Sequence, residues 1–237
     1  MARFFAAKAL IFAALLFSSQ LALAQFVQQG PKLVGTGAVG SAEHRSDGLL
    51  ADLVRRAHGT ANAPQRAALV WRDLPVPVIA VIHGVAFGGG FQIALGADVR
   101  YVAPDARLSI LEIKWGLVPD MGGIALMREL ARADVVRELA FIGREFSGAE
   151  AANYGFATAL HPDPLEAARS AARAIASKSP DAVRALKRLL NASADLDTAA
   201  ILIAESREQA ALIGSPNQVE AVRSGMEKRP GRFSDPS

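Results

Sequence analysis

Val76-Pro77-Val78-Ile79-Ala80-Val81-Ile82-His83-Gly84-Val85-Ala86-Phe87-Gly88-Gly89-Gly90-Phe91-Gln92 is an apolar run that enters a triple glycine and leaves it as a helix. Val78 to Ile82 has the composition of a buried strand, and Pro75 and Pro77 end the helical stretch before it. Glycines at such a junction let a ligand approach the backbone closely. The helix N-terminus behind them presents unpaired N–H groups and positive dipole. An oxygen developing negative charge would be held there, so Gly88, Gly89 and Gly90 form a candidate oxyanion hole. The competing reading is a plain strand-to-helix turn, which would need one glycine.

Further blocks follow in order. Residues 94–103 read ALGADVRYVA, residues 106–123 ARLSILEIKWGLVPDMGG, residues 141–157 FIGREFSGAEAANYGFA, and residues 222–230 VRSGMEKRP. Taken with the glycine junction, this series resembles the crotonase superfamily, the enoyl-CoA hydratases and isomerases. The likeness runs from about Gly48 to Phe233. It implies an α/β fold of the ββα-superhelix kind, incomplete in its N-terminal part, with a C-terminal helical trimerisation region. It also implies an acyl-CoA thioester as substrate, homotrimers or hexamers as the assembled state, and neither metal nor redox cofactor.

Composition bounds the other possibilities. The 237 residues suit one domain with ample material for a core, 51% being hydrophobic. The absence of cysteine removes disulfides, thiolate metal sites and a cysteine nucleophile. The four histidines, His44, His58, His83 and His161, have no zinc-binding spacing. A net charge of +3 is modest and its basic residues are dispersed, which gives nucleic-acid binding no support.

The N-terminus reads differently. Arg3 and Lys8 form a short basic lead, Ala9 to Leu16 is apolar, and Ala22-Leu23-Ala24 before Gln25 has the small-x-small form that signal peptidase accepts. Residues 1–24 therefore read as a signal peptide. A membrane anchor is the alternative, but Ser18, Ser19 and Gln20 interrupt the stretch before it reaches a full span. Residues 25–47 are glycine-rich and read as a linker, and with the leader they resemble the opening of exported FG-GAP repeat proteins. Acyl-CoA chemistry argues for the cytoplasm and the leader for export. The expectation is a reading frame that joins an exported leader to a crotonase fragment near Glu43, without the family's N-terminal loop that supplies the first oxyanion donor. The sheet formed by Val78 to Ile82 and Val99 to Val102 is then expected to have an uncovered edge.

The core expected over residues 48–178 alternates strands and helices, and residues 179–237 form a helical region. Helical spacing appears in two pieces between Gly48 and Arg72, then at 91–97, 122–130, 134–142, 163–177, 179–191 and 198–213. Ser147 with Glu150 has the capping-box pattern, and Ser179 ahead of Pro180 is an N-cap signature. The apolar positions Leu186, Leu189, Leu190, Ile201 and Leu202 are candidates for a subunit interface.

By position in the resemblance, Gly89 is the oxyanion donor, with Gly88 and Gly90 giving room. Glu112 matches the second of the two glutamates that hydratases of the family use. The first is replaced by Gln92, which can orient a water but cannot take up its proton. Asp120, after Pro119, resembles the aspartate of dienoyl-CoA isomerases. A Glu112–Asp120 pair suits a proton shuttle between carbons, so isomerisation leads, hydration is the alternative, and a catalytically impaired scaffold is the third reading. Bland alternatives stand beside these. Glu112 could be a surface loop residue and Asp120 a helix N-cap. Trp115 packs in the core or lines the acyl pocket, and Lys228 is a tail charge or a ligand of the CoA phosphates. His83 reads as a core residue, and Arg128 and Arg132 as surface charges.

Overall fold

The computed structural model describes two N-terminal strands, residues 53–56, and residues 59–236. The strands are β1 (Leu10–Leu15) and β2 (Ala22–Val27), which pair antiparallel. Helix α1 (Ala63–Asp73) leads to β3 (Ile79–Ile82), β4 (Val85–Phe87) and α2 (Gly89–Leu95). Then come β5 (Val99–Val102), β6 (Arg107–Ser109), a 3₁₀ turn (Glu112–Trp115), α3 (Gly123–Leu130) and α4 (Ala133–Ile142). The chain continues through β7 (Phe146–Ser147), α5 (Gly148–Tyr154) and β8 (Ala159–Leu160). It closes with α6 (Pro164–Ala176), α7 (Pro180–Ser193), α8 (Thr198–Leu212) and α9 (Pro216–Met226).

Two small sheets carry the core. One has the order β3-β5-β8, all parallel, and the other β4-β6-β7, with β4 and β6 parallel and β6 and β7 antiparallel. Strand β3 is apolar throughout because both its faces are covered. Val78, Ala80 and Ile82 enter the main core, while Ile79 and Val81 pack against Ala168 and Ala172 of α6. Alternation along the strand thus divides five consecutive apolar residues between two clusters. Phe91 of α2 is fully buried and meets the rings of Phe146 and Phe156 edge-on at 5.6 and 5.3 Å, which fixes α2 between the sheets.

Local signals act where expected. Ser147 accepts from Glu150 N while the Glu150 carboxylate accepts from Ser147 N, a complete capping box at α5. Ser179 caps α7 with Pro180 in its first turn, and the expected helical C-terminal region is present. Helix α2 begins at Gly89, two residues before the expected start, so Gly89 and Gly90 are part of it and Gly88 is its N-cap.

The hairpin β1/β2 comes close to β3 without joining its ladder, so among the described residues β3 keeps an edge with no strand partner, as expected. Strand β2 also extends into the first residues read as linker, whereas residues 28–47 and the expected junction near Glu43 lie outside the described residues. Among the described residues no helix is long and apolar enough to cross a membrane.

Candidate active site

The β4–α2 junction builds one wall. Gly88 has φ +52°, a left-handed conformation that side chains rarely adopt, and its N–H is taken by Ser109 O of β6 at 3.0 Å. A Cβ at Gly88 would lie 3.1 Å from Glu112 Oε1, so the carboxyl group sits directly on the glycine backbone. Gly89 follows in the first turn of α2, where backbone N–H groups have no partner inside the helix. The Met121 sulfur covers it, 2.8 Å from where a Cβ of Gly89 would stand.

Glu112 opens the 3₁₀ turn that crosses in front of this junction. Its two oxygens are in different situations. Oε1 accepts a hydrogen bond from Gln92 Nε2 at 2.7 Å, while Oε2 is buried without a hydrogen-bond partner. Burial pushes the carboxyl above the ordinary glutamate range. Hydrogen bonds from its own backbone N–H and from the Gln92 amide pull the other way, and the nearby charge of Asp120 adds to the upward push. Glu112 is therefore no free surface carboxylate.

Gln92 is 1% exposed and connects the two halves of the site. Its Oε1 accepts from Met121 N at 3.0 Å and from Gly123 N at 2.9 Å. The approach is so close that a Cβ at Gly123 would fall 2.5 Å from that oxygen. Only glycine leaves room there. Asp120 lies exposed one residue before Met121, and α3 takes Gly122 as its N-cap, so capping is not the role of Asp120.

The remaining candidates are dispersed. Gly90 has open space beside it. Trp115 is 49% exposed, with Lys114 Nζ 5.6 Å from its ring centroid, and so does not pack in the core. Ile113, Leu117 and Val118, its neighbours in sequence, are exposed as well. Lys228 is exposed beyond α9 with φ +51°. His83 is half-buried, and Arg132 pairs with Asp134 on the surface. Sequence reasoning missed Met121 and Gly123. Both stand within a quoted block, but their parts depend on a side chain some thirty residues away.

The site thus has a strand-to-helix triple glycine with the half-buried Glu112 carboxyl seated on it. Residues 54–236 match the family described as enoyl-CoA hydratase/isomerase. The chain belongs to that family. Among curated members, the carnitinyl-CoA dehydratase of Salmonella typhi is 36% identical over 126 residues, 52% of this chain and 48% of that protein. The chain thus spans about half the length of the curated relatives it matches. Among solved enoyl-CoA hydratase/isomerase structures, an enoyl-CoA hydratase from Bacillus anthracis superimposes with a TM-score of 0.69 at 30% identity. That match covers 72% of this chain and 67% of the other. A probable enoyl-CoA hydratase/isomerase from Mycobacterium abscessus gives 0.67 at 31% identity, covering 70% and 66%. The crotonase-like fold expected from the sequence is the fold of these neighbours.

Proposed function

We propose that the chain is an acyl-CoA isomerase that moves a double bond through an enolate of the thioester. The observation that carries this reading is the company Glu112 keeps: an amide at Gln92 where a hydratase has its other carboxylate, and Asp120 as the charged neighbour. In this reading the thioester oxygen lies on the Gly89 N–H, with Gly88 and Gly90 leaving space for it. A donor of this kind contributes about 2.7–4 kcal/mol to the transition state. A carboxylate at Glu112 takes a proton from carbon through Oε2, and the electrons of that bond move towards the thioester oxygen. That proton is then passed by way of Asp120 to the distant carbon, so both carboxyls end the cycle as they began it. The raised affinity of Glu112 for its proton supports this, since an acid–base group works best when it titrates near the working pH. Trp115 and its apolar neighbours line the acyl entrance, Gln92 borders the reacting end, and Lys228 meets the nucleotide phosphates of CoA.

Hydration or dehydration is the second reading, favoured by the names of the relatives. The family's trimer is supported by apolar side chains left in solvent on the tail helices, Leu186 at 56%, Leu190 at 63% and Leu202 at 56% exposure. The deciding experiment supplies the purified chain with 3-enoyl-, dienoyl- and crotonyl-CoA and follows each spectrophotometrically. Double-bond migration with little hydration is expected. Hydration of crotonyl-CoA at about 1–1,000 per second would reverse the order of the two readings. A soluble trimer that turns over none of the three would favour the impaired scaffold.

A further inference from the structure

The two oxygens of the Glu112 carboxyl differ because of Gln92, a residue with no proton to give. Two backbone N–H groups, of Met121 and Gly123, converge on one end of the Gln92 amide. Only a carbonyl oxygen can accept from both. The NH₂ end must then face Glu112 Oε1, which it does at 2.7 Å. An oxygen receiving that hydrogen bond is the poorer place for a proton, whereas Oε2 is buried and has no partner within the protein. Gly88 stands against the same oxygen, since a Cβ there would come within 3.1 Å of Oε1.

We infer that Gln92 is a positioning residue that fixes the Glu112 carboxyl through Oε1 and so confines proton transfer to Oε2. The inference deepens the isomerase reading and rests on it for the catalytic consequence alone; the physical tether is independent of any substrate. The charged surroundings are simple. Helix α2 carries no charged residue, Lys114 of the same 3₁₀ turn lies over Trp115, and Asp120 is the charged neighbour. On α4, which packs against the 3₁₀ turn, Asp134 pairs with Arg132, Glu138 with Arg144, and Arg137 is in solvent.

The test is a carboxyl ¹³C NMR titration of the full chain labelled at glutamate, with the Glu112 signal assigned by its loss in Glu112→Gln. Gln92→Met preserves length and removes the amide. Without the donor the carboxylate form loses its hydrogen bond, so Glu112 should titrate higher by about one pH unit, the size expected for a hydrogen bond to a charged group. Gln92→Glu should instead place two carboxyls where one proton is shared, so the pair titrates in two separated steps. It also keeps an oxygen for the N–H groups of Met121 and Gly123, so it remains readable should Gln92→Met fail to fold. With an active substrate, both variants should lower kcat at least tenfold and leave KM nearly unchanged. A Glu112 titration identical in the parent and the folded variants would overturn the tether. A shifted titration in a protein that turns over no acyl-CoA would keep the tether and overturn the isomerase reading.

Discussion

The ammonium group of Lys187 in α7 lies 2.8 Å from Asp98 Oδ2, reaching back across 89 residues to the turn between α2 and β5. The same nitrogen donates to Trp71 O at 2.9 Å and Val76 O at 2.8 Å, and Asp98 in turn accepts from Val78 N at 2.6 Å. One buried cation thus joins the helical tail to the end of α1 and the start of β3. Lys187→Met keeps the aliphatic stem and removes all three of the ammonium's hydrogen bonds, leaving Asp98 with the Val78 N–H but no counter-charge. Breaking such a pair costs about 3 kcal/mol, taken at the low end because Asp98 has some access to water. Urea denaturation measures it, and a loss below about 1 kcal/mol would mean that water replaces the ammonium.

Glu112 should make stability depend on pH. Its proton affinity is higher folded than unfolded, so its contribution is fully present below the ordinary glutamate pKa and is lost as pH rises through the raised, folded value. Glu112→Gln removes that dependence. The variant should therefore gain stability over the parent as pH rises through that window, with the difference levelling above it. Thermal melts from pH 4 to pH 9 test this, and a parent that grows steadily more stable relative to the variant would contradict it.

In catalysis the same carboxyl should set one limb of the pH–rate profile. As the base, Glu112 must be ionised, so kcat/KM should fall as pH drops through its raised pKa. Glu112→Gln should abolish that limb and cost about 10²–10⁴-fold. Asp120→Asn should reduce isomerisation by a similar factor. Unimpaired isomerisation by Asp120→Asn would remove Asp120 from the shuttle.

Gly123→Ala should be costly despite adding one carbon. The new Cβ would overlap Gln92 Oε1, and the buried amide has no free direction in which to retreat. Overpacking of this kind costs about 1–3 kcal/mol. The double variant with Gln92→Ala should recover part of the loss in Tm while activity stays low. A fully stable and active Gly123→Ala would show that α3 can shift away from α2.

Removing residues 1–24 eliminates β1 and cuts β2 near its middle. A chain starting at Gln25 should therefore unfold at lower temperature and aggregate more readily than the full chain, because the hairpin close to β3 goes with it. Equal melting curves for the two would deny the hairpin any structural weight.

Much of this was legible wherever the signal is local. The strand-to-glycine-to-helix junction, the Ser147–Glu150 capping box and the Ser179–Pro180 start of α7 are each written within a few residues. Helix α9 was missed although Ser215–Pro216 repeats the same start signal, and its apolar positions Val219, Val222 and Met226 are exposed. Strands β7 and β8 are two residues long, too short for any alternation, and are defined by partners some forty to sixty residues earlier. At the candidate site, Gly89, Glu112 and Asp120 are chosen by their position in the resemblance, and the structure seats Glu112 on the glycine junction. The tether from Gln92 to Gly123 could not be picked out that way, since it is a matter of one atom's reach across folded space.

Gly123 and Gln92 share a single small volume, one by lacking a side chain and the other by filling the space left. Mutation can therefore not explore the two sites separately. A longer residue at 123 demands a shorter one at 92, which forfeits the amide, and a bulkier residue at 92 has nowhere to go. Among descendants of this chain the pair should be inherited together or exchanged together, and lineages that lose one partner should lose the other soon after.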